Sequence, residues 1–251
     1  MKREWFEEFR DKLKNREKKS APKVRKLLKS NYSKVAKGYS HEKTATEIAD
    51  QFLTSDEDLQ NVYRQIYKDV YVGMARWNVR KYGIQKSPFS DLMEYIQQRA
   101  FVQADLESFI KRGLIRSANR AAIVRTIERL RTEPKFVETH ERAASKMLMA
   151  EFRHLSKTQA AMIVRTEATN AANSALLEST KRMFPGRSFR KEWLAKIDGR
   201  TRNSHRSADG QQVQETGQFF VGGELLQHPG GGKRPENNIF CRCAVTLVRN
   251  G

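Results

Sequence analysis

Two short stretches near the C-terminal end contain the residue types in this chain that could do chemistry. The first, KIDGRTRNSHRSADG, covers residues 196–210, and the second, NNIFCRC, covers residues 237–243 and holds both cysteines. The first stretch contributes the side chains of Asp198, Arg200, Thr201, Arg202 and His205. Carboxylate, imidazole and thiol groups serve as metal ligands and proton carriers, and carboxylates also build hydrogen-bonded loops.

The two cysteines, Cys241 and Cys243, are separated by one residue. In a regular strand their side chains would share one face, with Cα atoms ~6.6 Å apart from a rise of ~3.3 Å per residue. That separation is at the far limit for a disulfide, and C-x-C is not the framework of a secreted disulfide protein. One interpretation makes both thiols small buried groups on a core face. The other makes them metal ligands.

The metal interpretation takes His205 as a third ligand. Zinc prefers thiolate and imidazole in a tetrahedral array, so these three residues suit it if the strand is kinked. Asp198, His228 or water is available as the fourth ligand. The sequence leaves zinc ligands and core cysteines open as alternatives.

The loop around Asp198 allows three interpretations. Asp198 can accept two hydrogen bonds from an arginine and fix the loop, or the arginines can hold a phosphate. Alternatively, Asp198 and His205 with a metal form a nuclease centre that activates water against a phosphodiester. Because no second carboxylate cluster is present to hold Mg²⁺, we expect a structural loop and no enzymatic activity. The members of that structural loop are Asp198, Arg200, Thr201 and Arg202.

The chain is strongly basic, and its charge is unevenly distributed. Its 251 residues include 48 Lys and Arg against 29 Asp and Glu, a net charge of +19. Residues 1–38 hold 14 basic and 5 acidic residues, whereas residues 191–251 hold 9 and 6. This predicts an anionic partner for the upstream part. No apolar signal region and no run near the ~20 residues of a membrane span appear, which favours the cytosol.

Apolar residues repeat at helical spacing through most of the chain. The pattern predicts helices over 55–82, 90–112, 118–132, 136–154 and 156–184. Gly113 is expected to end the second, and Ser156 with Gln159 forms a capping box that opens the last. The basic segment 1–38 has a short apolar stripe and little else to bury, which is typical of a mobile arm or a loosely docked helix.

After Pro185 the pattern changes to short strands. Alternation predicts strands over 189–197 and 239–248, and Gly222-Gly223 predicts a hairpin over 218–226. The expected fold class is α+β, a mainly helical region followed by a small domain with a short antiparallel sheet. The expected domains are a basic arm (1–38), a helical region (39–184) and a C-terminal α+β domain (185–251). That last domain is small enough to need support from the preceding helix, a partner or a metal.

Two charged residues, Arg165 and Glu167, interrupt the alanine-rich last helix. They indicate either a solvated face or an ion pair to another helix or domain.

The motifs of residues 155–249 resemble those of the phage Mu F-like minor head proteins, a family of head morphogenesis proteins. In chain order they are M-I-V-R-T-E (162–167), the strand of Trp193, D-G-R-T-R-N-S-H (198–205), D-G (209–210), Phe219 and Phe220, Pro229 and N-I-F-C-R-C (238–243). The first 150 residues match only in kind, as a basic helical region.

The resemblance implies a low-copy virion protein of a tailed phage, made in the host cytoplasm and taken into the capsid at the portal vertex. It implies portal protein and scaffold or capsid protein as partners, and a role in head assembly and DNA delivery. The basic part would contact double-stranded DNA without sequence preference. His205, Cys241 and Cys243 match the family's metal ligands, and no established enzymatic activity accompanies its core domain.

Overall fold

A computed structural model gives the structure of residues 2–51, 54–82 and 88–249. Its elements are α1 (Lys2–Lys37), α2 (Ala45–Gln51), α3 (Asp56–Lys81), α4 (Pro88–Leu130), α5 (Pro134–Val137), α6 (Glu141–Met183), β1 (Phe189–Leu194), α7 (Asn203–Ser207), β2 (Gln212–Gln214), β3 (Phe219–Val221), β4 (Glu224–Leu226), α8 (Pro235–Asn238) and β5 (Ala244–Arg249). Long helices precede short antiparallel strands, so the predicted α+β class is confirmed. Within these residues no helix is both long and apolar enough to cross a membrane.

The chain divides into two compact units. Unit 1 consists of Met1–Ser20, Arg64–Ala104 and Met162–Gly251, and unit 2 of Ala21–Tyr63 and Asp105–Ala161. Helices α1, α3, α4 and α6 each contribute residues to both units. The domain boundaries predicted from the sequence, 1–38, 39–184 and 185–251, stay predictions. Each compact unit contains segments from more than one of these ranges.

Helix α4 continues through Gly113, where the sequence predicted its end. A glycine inside a helix costs about 1 kcal/mol relative to alanine, but it does not force the left-handed conformation that ends a helix. On either side of it, Arg112 and Arg116 both bind Asp56, at 3.0 and 2.7 Å between nitrogen and carboxylate oxygen. The two flanking turns are therefore anchored to the same carboxylate, and the helix does not break.

Helix α6 runs without a break through Ser156, which was predicted to open a new helix. The Ser156 hydroxyl donates to the carbonyl of Arg153 at 2.9 Å, inside the same helix. Gln159 accepts a hydrogen bond from Tyr32 and does not reach back to Ser156. The predicted capping box is wrong, because both side chains have partners that are compatible with a helix interior.

Helix α1 buries more than its sequence suggests. Phe9 and Leu13 of the predicted stripe are fully buried, and Trp5 is partly buried. A second set of buried residues follows at helical spacing, namely Val24, Leu28, Tyr32 and Val35. Lysines and serines lie between these buried residues in the sequence. The apolar pattern is therefore weak, although one side of the helix is buried at these positions.

Part of the predicted inward face of α4 is exposed. Leu92 and Ile96 are buried as predicted. The exposed members, at 49–63% of their surface, are Val102, Leu106, Phe109 and Ile110. Helical spacing shows which side chains share a face, whereas neighbouring elements decide whether that face is covered.

The residues after Met183 form two small antiparallel sheets, with strand orders β2-β1-β5 and β3-β4. Gly222 and Gly223 turn the predicted hairpin with φ angles of 57° and 74°, which glycine adopts without a steric penalty. The core contains Trp193, Ala195, Ala208, Phe219, Val221, Leu226, Cys241, Cys243 and Val245. Leu177 of α6 packs against it, so the preceding helix completes this small core.

Helix α6 also fixes the backbone around the cysteines through its polar side chains. The hydroxyl of Thr169 donates to the carbonyl of Cys241 at 2.8 Å. Asn173 donates to the carbonyl of Cys243 at 3.3 Å and accepts from the N–H of Val245 at 2.8 Å. One amide side chain thus supplies the acceptor and the donor that a neighbouring strand would otherwise supply.

The cysteines lie just before strand β5 and not on it, which corrects the predicted strand over 239–248. Phe240 has a φ of 56°, in the left-handed region, and its N–H donates to the hydroxyl of Thr166 at 3.2 Å. This bend precedes Cys241, so the regular alternation of a strand does not apply to the two thiols. Their common orientation comes from an irregular segment held by α6.

We expect Asn173→Leu to lower the free energy of unfolding by about 2–4 kcal/mol, because it leaves buried backbone groups at Cys243 and Val245 without partners. Urea denaturation monitored by circular dichroism measures the change. Asn203→Ala, at an exposed position, is the control and should change stability by less than about 0.5 kcal/mol. Equal effects of the two substitutions would contradict the role assigned to Asn173.

Candidate metal centre

The loop between β1 and α7 is closed by the side chains of Asp198 and Thr201. The N–H of Arg200 donates to Oδ1 of Asp198 at 2.9 Å, and the N–H of Asp198 donates to the hydroxyl of Thr201 at 3.0 Å. Thr201 in turn donates to the carbonyl of Lys196. Such side-chain to backbone bonds stabilise tight polar turns, so the loop has a defined shape.

Arg242 joins this loop to the cysteine segment through a two-point ion pair. Its Nη1 lies 2.5 Å from Oδ2 of Asp198, and its Nη2 lies 2.6 Å from Oδ1. The planar guanidinium matches both carboxylate oxygens. The hydrogen bonds from Arg242 have the largest effect on the pKa of Asp198. Together with the bond from the backbone N–H of Arg200, they hold this pKa well below its usual value. Asp198 is therefore charged and occupied by its own loop contacts.

The two arginines predicted in the structural loop lie in different environments. Arg202 donates from Nη2 to the carbonyl of Ile239 at 2.5 Å, which ties the loop to the segment before the cysteines. Arg200 is exposed, and its contribution to the loop is its backbone N–H. The loop is thus shaped by Asp198, Thr201 and Arg202 side chains and by the backbone at Arg200.

Sequence reasoning missed two arginines of this site. Arg206 donates from Nη2 to the carbonyl of Asp198 at 3.1 Å, and Arg242 binds the carboxylate of the same residue. A signal for Arg242 was present, because a residue between two inward-facing cysteines points away from them. No pattern in the sequence identifies Arg206 as a partner of a carbonyl.

His205, Cys241 and Cys243 form a buried cluster in unit 1. Nδ1 of His205 lies 3.4 Å from Sγ of Cys243 and 3.8 Å from Sγ of Cys241. All three ligand atoms lie within 4.8 Å of one another, and each residue is at most 2% exposed. The short helix α7 supplies the histidine, and the segment fixed by α6 supplies the thiols.

These distances fit a tetrahedral metal ion. With metal–sulfur bonds of ~2.3 Å and metal–nitrogen bonds of ~2.0–2.1 Å, a tetrahedral centre places its sulfur and nitrogen ligands ~3.5 Å apart. The observed nitrogen–sulfur distances of 3.4 and 3.8 Å lie on either side of that value. The three residues expected as ligands from the sequence therefore come together in a cluster that could hold a metal ion.

The two thiols influence each other's ionisation. A hydrogen bond with Cys243 and the nearby imidazole lower the pKa of Cys241 well below its usual value, against the opposing effect of burial. The pKa of Cys243 is raised, because its hydrogen bond to Cys241 and its burial both favour the protonated form. The cluster thus favours one thiolate, and a metal ion would have to displace the second proton.

Neither side chain considered as a fourth ligand joins this cluster in the part of the chain that the structure describes. Asp198 is held by Arg242, and Nδ1 of His228 lies 3.2 Å from the carbonyl of Pro229. Water remains as the third of the expected alternatives.

Aromatic packing orients the imidazole of His205. Its ring stands at 90° to that of Trp193, with centroids 5.7 Å apart. Metal-bound histidines usually donate their other N–H to an acceptor, whereas Nε2 of His205 is buried without a hydrogen-bond partner among the residues described. The ring of Trp193 orients the imidazole in place of such a hydrogen bond.

Arg165 and Glu167 of α6 lie at the edge of this region of unit 1. Nε of Arg165 is 3.8 Å from a carboxylate oxygen of Glu17 in α1, and its guanidinium lies over the Phe240 ring at 5.6 Å. Glu17 also approaches Arg10 at 3.9 Å. Glu167 is 3% exposed, so it does not stand on a solvated face.

Comparison with known proteins gives a family match that covers all the motifs between residues 162 and 243. The family model described as Phage Mu protein F like protein matches residues 104–246. The chain is also 31% identical over 99 residues to the NAD(+)--arginine ADP-ribosyltransferase EFV of Enterococcus faecalis (strain ATCC 700802 / V583). That alignment covers 38% of this chain and 20% of the relative, so the chain spans about a fifth of that protein's length. No solved structure matches the chain.

The ion pair between Asp198 and Arg242 predicts a pH-dependent contribution to stability. Because the folded pKa of Asp198 is lowered, the contribution is present above the ~3.9 of an unfolded aspartate and is lost as pH falls through the folded value. Asp198→Asn should therefore lower the melting temperature at pH 7, and the deficit should narrow at about pH 3. Asp11→Asn, at an exposed position of α1, is the control. A deficit that stays constant between the two pH values would contradict the pair.

Proposed function

The chain belongs to the Phage Mu protein F like family, and we propose that it is a minor head protein of a tailed phage. In this proposal it is made in the host cytoplasm and built into the capsid interior near the portal. There it acts in head morphogenesis and in DNA packaging or delivery. The observation that carries the proposal is the family match over residues 104–246, which contains the whole His205, Cys241 and Cys243 cluster.

Unit 2 offers an apolar surface for docking on another head protein. Leu106, Phe109, Ile110 and Leu114 follow one another at helical spacing on α4 and are 49–63% exposed. The guanidinium of Arg112 lies over the Phe109 ring at 4.4 Å and forms part of a charged border. Such patches with polar borders mark protein interfaces. We assign this one to the portal protein, because the family resemblance implies entry at the portal vertex; scaffold or capsid protein is the other partner.

Contact with double-stranded DNA is proposed for one face of α1 in unit 2. Lysines and serines alternate there along a shallow cavity of about 450 Å³, lined by Lys26, Lys29, Ser30, Ser33, Lys34 and Lys37. Among the described residues, none of these four lysines forms an ion pair with a carboxylate. Ammonium and hydroxyl groups on one face suit phosphate oxygens, and they carry no base readout.

Zinc is the metal that we propose for the cluster. Two thiolates and one imidazole are a donor set that zinc prefers, and structural zinc sites stabilise small domains directly. The short strands and small core of residues 185–251 are consistent with that need. Cys241, Cys243 and His205 would hold the ion, with water in the fourth position.

We propose no enzymatic role for this centre. A nuclease based on His205 and Asp198 needs a carboxylate near the metal, and Asp198 is bound to Arg242 instead. His205 is 2% exposed, which leaves little access for a phosphodiester. These contacts support a structural site.

The head-protein proposal is tested by co-expressing the chain with the portal, scaffold and capsid proteins of its own phage genome. Mass spectrometry of purified procapsids should find it at low copy number. Phe109→Ser with Ile110→Ser should abolish incorporation without lowering the melting temperature, because both side chains are already exposed. Leu225→Ser, 59% exposed on β4, is the control and should be incorporated normally. Absence of the wild-type chain from procapsids would refute the proposal.

Elemental analysis should find about one zinc ion per chain after purification without added metal, as expected of a single structural site. Cys241→Ser should lower zinc content and melting temperature together, whereas Ser204→Ala on α7 should leave both unchanged. Unaltered stability of the wild type in a chelator would favour the core-cysteine interpretation.

The zinc-loaded protein should not nick a supercoiled plasmid with Zn²⁺, Mg²⁺ or Mn²⁺, and nicking that is lost in His205→Ala would restore the nuclease alternative.

A further inference from the structure

A cleft in unit 1 lies between helices α1, α3 and α4 and has a volume of about 480 Å³. It is distinct from the metal centre, because none of its lining residues belongs to the cysteine segment or the Asp198 loop. The lining residues that matter here are Arg16, Lys68, Asp69, Gly73, Arg76 and Phe101. Its volume is within the ~300–1,000 Å³ that small-ligand sites usually have.

The charge of this cleft is positive. Arg16, Lys68 and Arg76 face it with a single carboxylate, Asp69, which accepts a hydrogen bond from Ser20 at 3.3 Å. In the part of the chain that the structure describes, none of the three cations forms an ion pair. Cations that line one cleft without ion-pair partners favour an anionic ligand, and guanidinium groups suit phosphate oxygens in particular.

Gly73 leaves the space that one of these cations occupies. A Cβ atom at this position would lie 2.6 Å from Cζ and 2.7 Å from Nε of Arg16, so the guanidinium rests directly on the helix backbone. Any larger residue would push Arg16 away from its present position. The absence of a side chain at Gly73 therefore allows the guanidinium of Arg16 to lie against α3 in its present position.

An aromatic ring completes the cleft. Phe101 of α4 is 44% exposed, and it lines the same cavity as the three cations. Exposed aromatic rings beside basic residues are typical of sites for unpaired nucleotides, because the ring stacks on a base while the cations bind the phosphate. A base in a duplex is already stacked and paired, so it cannot use such a ring.

We propose that this cleft binds one nucleotide unit of single-stranded nucleic acid. Its phosphate lies among Arg16, Lys68 and Arg76, and its base stacks on Phe101. The inference deepens the DNA contact of the proposed function by adding a second site with a different preference. The lysine face of α1 tracks duplex phosphates, whereas the cleft selects unpaired strands.

Fluorescence anisotropy with a short labelled oligothymidylate, and with the matching duplex, tests the cleft on the full chain. Phe101→Ala should weaken oligothymidylate binding about 5-fold or more and leave duplex binding unchanged, because the substitution removes stacking and no charge. Arg76→Ala should weaken oligothymidylate binding and reduce its salt dependence by about 0.7 in the logarithmic slope, as expected for one lost contact to a single strand.

Two further variants separate the cleft from general charge effects. Gly73→Ala keeps every cation but displaces Arg16, so it should also weaken oligothymidylate binding. Its melting temperature should not fall below that of the wild type, because alanine is the better residue inside a helix. Lys26→Ala with Lys29→Ala, on the lysine face, should reduce duplex binding more than oligothymidylate binding. Unchanged oligothymidylate affinity in Phe101→Ala would overturn the proposal. So would a polyglutamate peptide that competes with oligothymidylate as well as an unlabelled oligothymidylate does, because that result would assign the cleft to an acidic protein segment. Neither result bears on incorporation into procapsids, so the head-protein proposal stands or falls separately.

Discussion

The hydrogen bonds that α6 makes to the C-terminal backbone are the constraint on which the geometry of the His205, Cys241 and Cys243 cluster depends. Asn173 binds the carbonyl of Cys243 and the N–H of Val245 in the C-terminal segment, and the carbonyl of Pro229 in a separate loop. Gly230 permits the same close approach, since a Cβ there would lie 2.8 Å from the backbone nitrogen of Asn170. A short domain with few strand partners thus obtains its missing backbone partners from a helix.

The C-R-C segment contacts two parts of the site, one through its cysteines and one through its arginine. Its cysteines face His205, and Arg242 faces Asp198 on the loop that leads into α7. The loop that leads to the histidine is therefore fixed to the same segment that carries the thiols. Their separation is set by protein contacts, and a metal ion would find its ligands already close to tetrahedral spacing. If a metal ion binds here, the protein contacts and the ion would stabilise the same arrangement.

Local sequence signals predicted elements correctly where the controlling interaction is itself local. The helix predicted from residue 55 is found as α3, and the hydroxyl of Ser55 accepts from the N–H of Asp58 at 3.1 Å at its start. The Gly222-Gly223 hairpin is also found. The predicted breaks at Gly113 and Ser156 are wrong. The turns around Gly113 bind Asp56, which is distant in sequence, and Gln159 binds Tyr32 instead of closing a capping box with Ser156.

The sequence by itself determined the fold class, the family and the identity of the three potential ligands, because these follow from residue type, order and spacing. Only the tertiary structure decided that Arg242 binds Asp198, that the cysteines lie before strand β5, and that Arg16 packs against Gly73 in a cleft that Phe101 also lines. Each of these depends on a contact between segments far apart in the chain. Periodicity shows which side chains share a face, and it contains no information about what meets that face.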